Sequence, residues 1–432
     1  MLALAAPIAL AGPTPTWTNP TTLSPSGLWA DQPAVAVDSS NRVALIWASC
    51  TPGEGTCQAG TGEVFARSSS SSSGYGSRKT VASQNAEGLG LRIASGRAQG
   101  SWLAGNGSWR ASSAPMGGKW TSPATTKVPG GGGAAIAYAS SGKAVSTWIG
   151  TKTKAGAVSG SIGLWVSYRN GASASWQTPK KLSSTALGAV PLIDSSGRAS
   201  VVTTIQSSNA TDAAGRVAIY DRNSSNSWKR TNVSSTTTAL APVAAMNANG
   251  RVAFAYLVCA SGFDRGSCTG DTSLQARIRT APGKALSSTK TLAPNALSQV
   301  TAVDPKGRAA VAWSDAASVT AAQSTSGSSW ATTSLDTGPI QDGPLLAVNS
   351  KSQLVAAWVT GQGGGGDQTA RAVTRDASGS FGGAVDVSNT TAFVSDLALA
   401  IGDGGKALLA WTSADESSAQ TIPLQAATAK VG

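Results

Sequence analysis

Residues 34–47 read AVAVDSSNRVALIW. Apolar and small residues run to Val37, a turn of Asp38, Ser39, Ser40 and Asn41 follows, and Arg42 opens a second run that ends on Trp47. Such a strand pattern, broken by a cluster of Asp, Ser and Asn, is that of a β-hairpin. It returns seven more times, as LGLRIASGRAQGSW (89–102), AAIAYASSGKAVSTW (134–148), VPLIDSSGRASVVT (190–203), PVAAMNANGRVAFAY (242–256), VTAVDPKGRAAVAW (300–313), LLAVNSKSQLVAAW (345–358) and LALAIGDGGKALLAW (397–411). One turn slot holds Asn41, Gly96, Gly142, Gly197, Gly250, Gly307, Ser352 and Gly405, spanning 364 residues over seven intervals, about 52 apiece. Six residues beyond it stand Trp47, Trp102, Trp148, Thr203, Tyr256, Trp313, Trp358 and Trp411. An aromatic in seven of eight aligned slots marks a repeated unit rather than eight unrelated hairpins.

A third strand follows each hairpin (EVFAR, NGSWR, LWVSYR, VAIYDR, LQARIR, VTAAQ, TARAVTR and IPLQAA), and a fourth is visible in KWTSPATTKV, SWQTPKKLSS, SWKRTNVSS and SWATTSLDT. Four strands per unit of this length make the blade of a β-propeller, so the expected fold is all-β: one eight-bladed ring of four-stranded blades. The last unit reaches its third strand near residues 422–427 and ends at Gly432 without a fourth. The stretch TWTNPTTLS, from Thr16, resembles SWQTPKKLSS. A strand at residues 16–24 is therefore expected to complete the last blade and leave no open edge. The alternative is a seven-bladed ring with blade two, the shortest and weakest unit, outside it.

Composition agrees with strands and removes much chemistry. Charged residues are 12% of 432 and Gly numbers 50, a mix that disfavours helix. His is absent, so no Ser-His-Asp or Cys-His relay and no imidazole metal site can be built. The Gly runs at Gly130–Gly133 and Gly363–Gly366 lack the Lys-Ser/Thr of a phosphate loop, and Ser68–Ser73 reads as a flexible turn. A carboxylate pair for glycoside cleavage stays open, but nothing marks one pair above another. The expectation is a protein without catalytic residues, cofactor or metal.

The start, MLALAAPIALAGPTPT, resembles the apolar region and cleavage site of a secretory signal, and its run of about ten residues is too short to span a bilayer. Residues 1–15 therefore read as a signal remnant or flexible N-terminus, residues 16–432 as the propeller, and the protein as secreted. Cys50 and Cys259 each stand three residues past the Trp47/Tyr256 slot, in the same loop of blades one and five. Local disulfides Cys50–Cys57 and Cys259–Cys268 fit an exported chain.

Taken together, the repeated hairpin and its Trp slot resemble the bacterial secreted β-propellers, a group with lectin-like and sialidase-like rings. The resemblance covers residues 16–432 and is architectural. A sialidase Asp box, Ser-x-Asp-x-Gly-x-Thr-Trp, is not met: Asp304-Pro-Lys-Gly307 has its Trp313 six residues past the Gly.

Two surfaces are candidates. Trp29 lies outside the repeat, with Asp31, Asp342 and Asp396 at what look like matching positions; an aromatic face beside carboxylates suits a sugar. Basic residues follow the hairpin turn at Arg42, Arg97, Lys143, Arg198, Arg251, Arg308 and Lys406, and end the third strand at Arg67, Arg110, Arg169, Arg222, Arg279 and Arg375. Both turn positions fall on one side of a blade, so thirteen positive side chains, against a net charge of +12, are expected on one face. That predicts a binding surface for a glycan or anionic cell-surface polymer ahead of nucleic acid. A protein–protein scaffold in a secreted assembly is the second reading, and a polysaccharide-cleaving enzyme the third.

Overall fold

The computed structural model describes residue 12 and residues 14–52, 62–130, 134–152, 162–172, 174–206, 215–260, 263–264, 267–268, 270–361, 367–389, 393–414 and 421–432. Eight four-stranded antiparallel sheets follow one another along the chain: residues 29–82, 86–125, 135–183, 186–232, 239–294, 298–337, 340–386, and 393–430 joined by Thr21–Thr22. The chain is an eight-bladed β-propeller. Blade two is a full member, so the seven-bladed alternative falls. A small hairpin, Phe263–Asp264 with Ser267–Cys268, decorates blade five. Cys259 is disulfide-bonded to Cys268 as expected. Cys57, and with it the Cys50–Cys57 expectation, lies outside the described residues. No helix among the described residues is long and apolar enough to cross a membrane.

The ring closes where the sequence says it should. Thr21 pairs with Ala426 and Thr22 with Gln425, Trp17 bridges Ala429, and the Leu23 amide donates to the Leu424 carbonyl at 2.8 Å. Leu23 is fully buried, so this short strand brings an apolar anchor as well as backbone bonds.

The turn slot has a conformational cause. All eight of its residues have positive φ, from 63° at Asn41 to 88° at Gly197. Gly takes this region freely and Asn or Ser at modest cost, which accounts for the slot's composition. The Asp or Asn that starts the turn caps it. Asp38, Asp194 and Asp304 accept the backbone N–H four residues on, each at 2.8 Å, through Oδ1.

The aromatic slot also has a cause. In six blades the innermost strand carries one extra residue, between Asp31 and Ala34, Glu87 and Gly90, Leu187 and Val190, Leu240 and Val243, Asp342 and Leu345, and Ser395 and Ala398. The residue across from each bulge is the slot residue: Trp47, Trp102, Thr203, Tyr256, Trp358 and Trp411. A bulge bends its strand and leaves carbonyls unpaired. Where the slot is not aromatic, the Thr203 hydroxyl donates to the Gly188 carbonyl at 2.7 Å.

The seams between blades hold the core. Apolar clusters among the described residues fill the seams 8–1, 1–2, 3–4, 4–5, 5–6, 6–7 and 7–8. The slot aromatic of a blade packs into the seam with the blade before it: Trp47 into 8–1, Trp102 into 1–2 and Trp411 into 7–8. The seam between blades two and three holds no such cluster among the described residues. Trp148, the slot residue of blade three, is buried beside Gly130, where a Cβ would come within 2.5 Å of its ring, and donates from Nε1 to the Thr151 carbonyl at 2.7 Å.

Candidate functional site

The hairpin-turn face is basic, and much of that charge is structural. Lys143 Nζ donates to the Ser196 carbonyl at 2.8 Å, Arg198 Nη2 to Asn249 at 2.8 Å and Lys406 Nζ to Ser72 at 2.8 Å, each reaching the next blade. Arg251 and Arg308 reach Thr325 and Ser378 in the same manner. Arg42, Arg198 and Arg308 are also ion-paired to the Asp four residues earlier. Five of the seven turn residues are thus clamps from blade to blade.

The six third-strand arginines divide. Arg279 and Arg375 are 1% and 0% exposed and belong to the interior, which corrects the expectation that they form part of the binding face. Arg279 makes a bidentate pair with Asp221, Nη1 to Oδ2 at 2.5 Å and Nη2 to Oδ1 at 2.8 Å. Arg375 donates to Asp304 Oδ2 at 3.1 Å and to the Ser352 carbonyl at 2.8 Å. Burial, aided by the neighbouring Arg308 charge, pushes its pKa down to about 10, which leaves it charged at neutral pH. Arg110 corrects the pattern in another way. It stands at the start of its strand, Trp109–Pro115, paired across to Trp102, and so at the end away from the hairpin turns. Arg67 turns its guanidinium to the Gly76 and Leu23 carbonyls at 3.1 and 3.0 Å. Arg222 and Arg169 remain, each lying over aromatic rings.

Around Arg222 the face is hollowed into a groove of about 630 Å³ across blades three to five, lined by Lys143, Tyr168, Ser196, Arg198, Arg222 and Lys229 among others. The Arg222 guanidinium lies 3.8 Å from the Tyr168 ring centroid and its Nε donates to Asn226 Oδ1 at 2.9 Å. Tyr168 donates its hydroxyl to the Gly197 carbonyl at 2.9 Å, and its pKa is raised, chiefly by burial. Two acids are at hand, and both are engaged: Asp194 by Arg198 and Asp221 by Arg279. Lys143, Arg222 and Lys229 form no ion pair among the described residues. Lys143 is one of the thirteen basic residues that the sequence places on this face, whereas nothing in the sequence singles out Lys229; adjacency in space, across two blades, is what joins both to Arg222.

The opposite end of the inner strands is acidic. Asp31 and Asp342 each precede the bulge residue, whereas Asp396 is the bulge residue itself, with φ of 49°, one position later than the matching expected. The structure brings Asp31 near Asp396 and adds Glu87. Burial, then the Asp396 charge, raises the Asp31 pKa, with Glu87 contributing in the same direction. Asp342 accepts the Gly343 amide at 2.7 Å, and Asp396 accepts the Thr412 hydroxyl at 3.0 Å. Trp29 is half-buried, paired with Cys50 and bridged to Ile422 on the last blade. Asp31, Asp396 and Glu87 act on one another electrostatically, which disfavours an anionic ligand beside them.

No protein-family model matches the chain, and no curated protein does. Solved structures with a similar course include a protein of unknown function from Dyadobacter fermentans, 11% identical, TM-score 0.43, covering 97% of this chain and 100% of that one. The WD40 domain of SCAP from fission yeast is 8% identical, TM-score 0.48, covering 93% and 96%. An ulvan lyase of polysaccharide lyase family PL25 is 11% identical, TM-score 0.44, covering 77% and 90%. Likeness at this level transfers no ligand and no activity.

Proposed function

We propose that the protein is a secreted, non-catalytic binding propeller that holds an anionic polymer or acidic surface glycan on its hairpin-turn face. The observation that carries this reading is the groove of about 630 Å³ in which Lys143, Arg222 and Lys229 stand without a carboxylate of their own. Lys143 gives one donor to the Ser196 carbonyl, but none of the three forms an ion pair among the described residues, so their charge can act on an anionic ligand. Export is supported by the Cys259–Cys268 disulfide.

The test is a salt series on polyphosphate, polygalacturonate and a neutral galactan. Contacted charges release counterions, so affinity for the two polyanions should fall steeply between low and physiological salt, and the galactan should not bind. The triple change Lys143→Gln, Arg222→Gln, Lys229→Gln should flatten that slope by about two to three contacts with the melting temperature nearly kept. Equal binding by parent and variant would move the site elsewhere; no binding of either polyanion at low salt would leave the scaffold reading in its place.

A further inference from the structure

The seam that holds no apolar cluster among the described residues is a cleft. It has a volume of about 750 Å³, runs between blades two and three, and is walled by small residues, among them Gly88, Gly90, Gly100, Ala111 and Ala135. Pockets of roughly 300–1,000 Å³ are of the size that encloses small organic ligands. The first strand of blade three, Ala135–Tyr138, has four residues where that of blade one, Trp29–Val37, has nine, so there is less strand to close the gap.

At the hairpin-turn end two guanidiniums converge. Arg92, from blade two, lies 4.1 Å from the Tyr138 ring centroid, and Arg169, from blade three, lies 5.7 Å from the same ring and 5.3 Å from that of Trp176. Arg92 Nε donates to Gln99 Oε1 at 2.8 Å. Arg169 Nε is buried with no hydrogen-bond partner among the described residues. Neither arginine has an ion pair among the described residues. Burial lowers the Arg92 pKa, and the Arg169 charge lowers it further, so the two cations repel each other in a partly desolvated place. An anion between them would relieve that repulsion, and a planar carboxylate matches a guanidinium in two-point geometry. Gln99 and Ser101 continue the wall as neutral hydrogen-bonding groups, and Glu87 stands among the lining residues as an acceptor. One cationic end, an aromatic ring and a neutral polar wall suit a ring with one carboxylate and several hydroxyls.

We propose that this cleft binds a carboxylated sugar residue, a hexuronate, with its carboxylate at Arg92 and Arg169 and its hydroxyls along Gln99 and Ser101. The cleft shares no lining residue with the groove of blades three to five and goes beyond the reading given for it.

Calorimetric titration with trigalacturonate tests it, with neutral galactotriose and inorganic phosphate as controls and the full chain throughout. The expected result is saturable binding of trigalacturonate, weakened about tenfold or more in Arg92→Gln and in Tyr138→Leu, and unchanged in Lys351→Gln, an exposed turn residue of blade seven that lines neither the cleft nor the groove. Galactotriose should not bind, and phosphate should not compete. Should Arg92→Gln fail to fold, Ala111→Leu, which narrows the cleft, supplies the same loss. Unchanged affinity in the cleft variants, binding of galactotriose as tight as that of the uronate, competition by phosphate, or no binding by the parent would each overturn the assignment. Loss in Lys143→Gln, Lys229→Gln with the cleft variants unaffected would place the uronate in the groove instead.

Discussion

The seam between blades eight and one and the seam between blades two and three are built from the same repeat and come out opposite. In the first, Trp47, Leu45, Leu408 and Ala410 interlock with Leu23 from the closing strand, all fully buried. In the second, the corresponding surface is Gln99 and Ser101 facing a void. The residues three and five positions past the turn slot decide this, because they face the next blade. They are Leu408 and Ala410 in blade eight, Ala44 and Ile46 in blade one, but Gln99 and Ser101 in blade two. The second strand of blade one is buried throughout, whereas that of blade two, Arg97–Ala104, alternates buried and half-buried. A pair of polar residues in these slots, together with the short first strand of blade three, accompanies a cleft where the repeat elsewhere builds a core.

The largest effect is expected at the closed seam. Deleting residues 1–24 removes the pairing of Thr21 and Thr22 with the last blade and the Leu23 anchor, and bares the edge of Leu424–Lys430. An uncovered edge is a template for aggregation. Light scattering and thermal melting should show aggregation or a large fall in melting temperature; unchanged melting would contradict closure by this strand.

Next come the arginines that the repeat makes look alike. Arg279→Gln leaves Asp221 buried without its bidentate partner, at a cost of about 3–5 kcal/mol. Arg169→Gln, which breaks no ion pair among the described residues, should cost under about 1 kcal/mol. Denaturant unfolding of the two variants checks this, and equal costs would erase the distinction between the buried, ion-paired arginine and the one without an ion pair among the described residues.

A smaller effect belongs to the acidic end. The folded chain holds the Asp31 proton to a higher pH than its ordinary value of 3.8, through burial and then Asp396 and Glu87. The folded state then binds more protons than the unfolded one in that interval, so stability falls as pH rises through it and stays lowered above. Asp31→Asn should raise the melting temperature at pH 7, with the gain shrinking as pH drops below about 4. A gain that is the same at both pH values would mean the charge is not its source.

Fold and site were legible to different degrees for physical reasons. Turn slot, aromatic slot and closing strand repeat, and each repetition answers one local demand: positive φ, the residue opposite a bulge, an unpaired edge. The face of a blade on which a side chain lies is also local, so the hairpin-turn ends of Arg67, Arg169 and Arg222 could be read. Burial is not local. Arg222 and Arg279 occupy the same position in adjacent blades, yet one stacks on Tyr168 and the other is consumed by Asp221 of the neighbouring blade. Arg110 was misplaced because its strand runs five residues past it, to Pro115. The cleft had a signal, Gln99 and Ser101 in slots that other blades do not both fill with polar residues, but a polar pair marks a cavity only once the facing blade is known.

The most direct measurement of the contrast between seams is a pair of cavity-filling changes. Ala410, fully buried in the seam of blades eight and one, and Ala111, on the wall of the open seam, are each changed to Leu and unfolded in denaturant. Ala410→Leu overpacks a filled core and should cost about 1–3 kcal/mol. Ala111→Leu enters free space and should cost nothing or stabilise slightly, while weakening trigalacturonate binding. An equal loss of stability in both would show that the seam between blades two and three is packed like the rest, and would contradict the account.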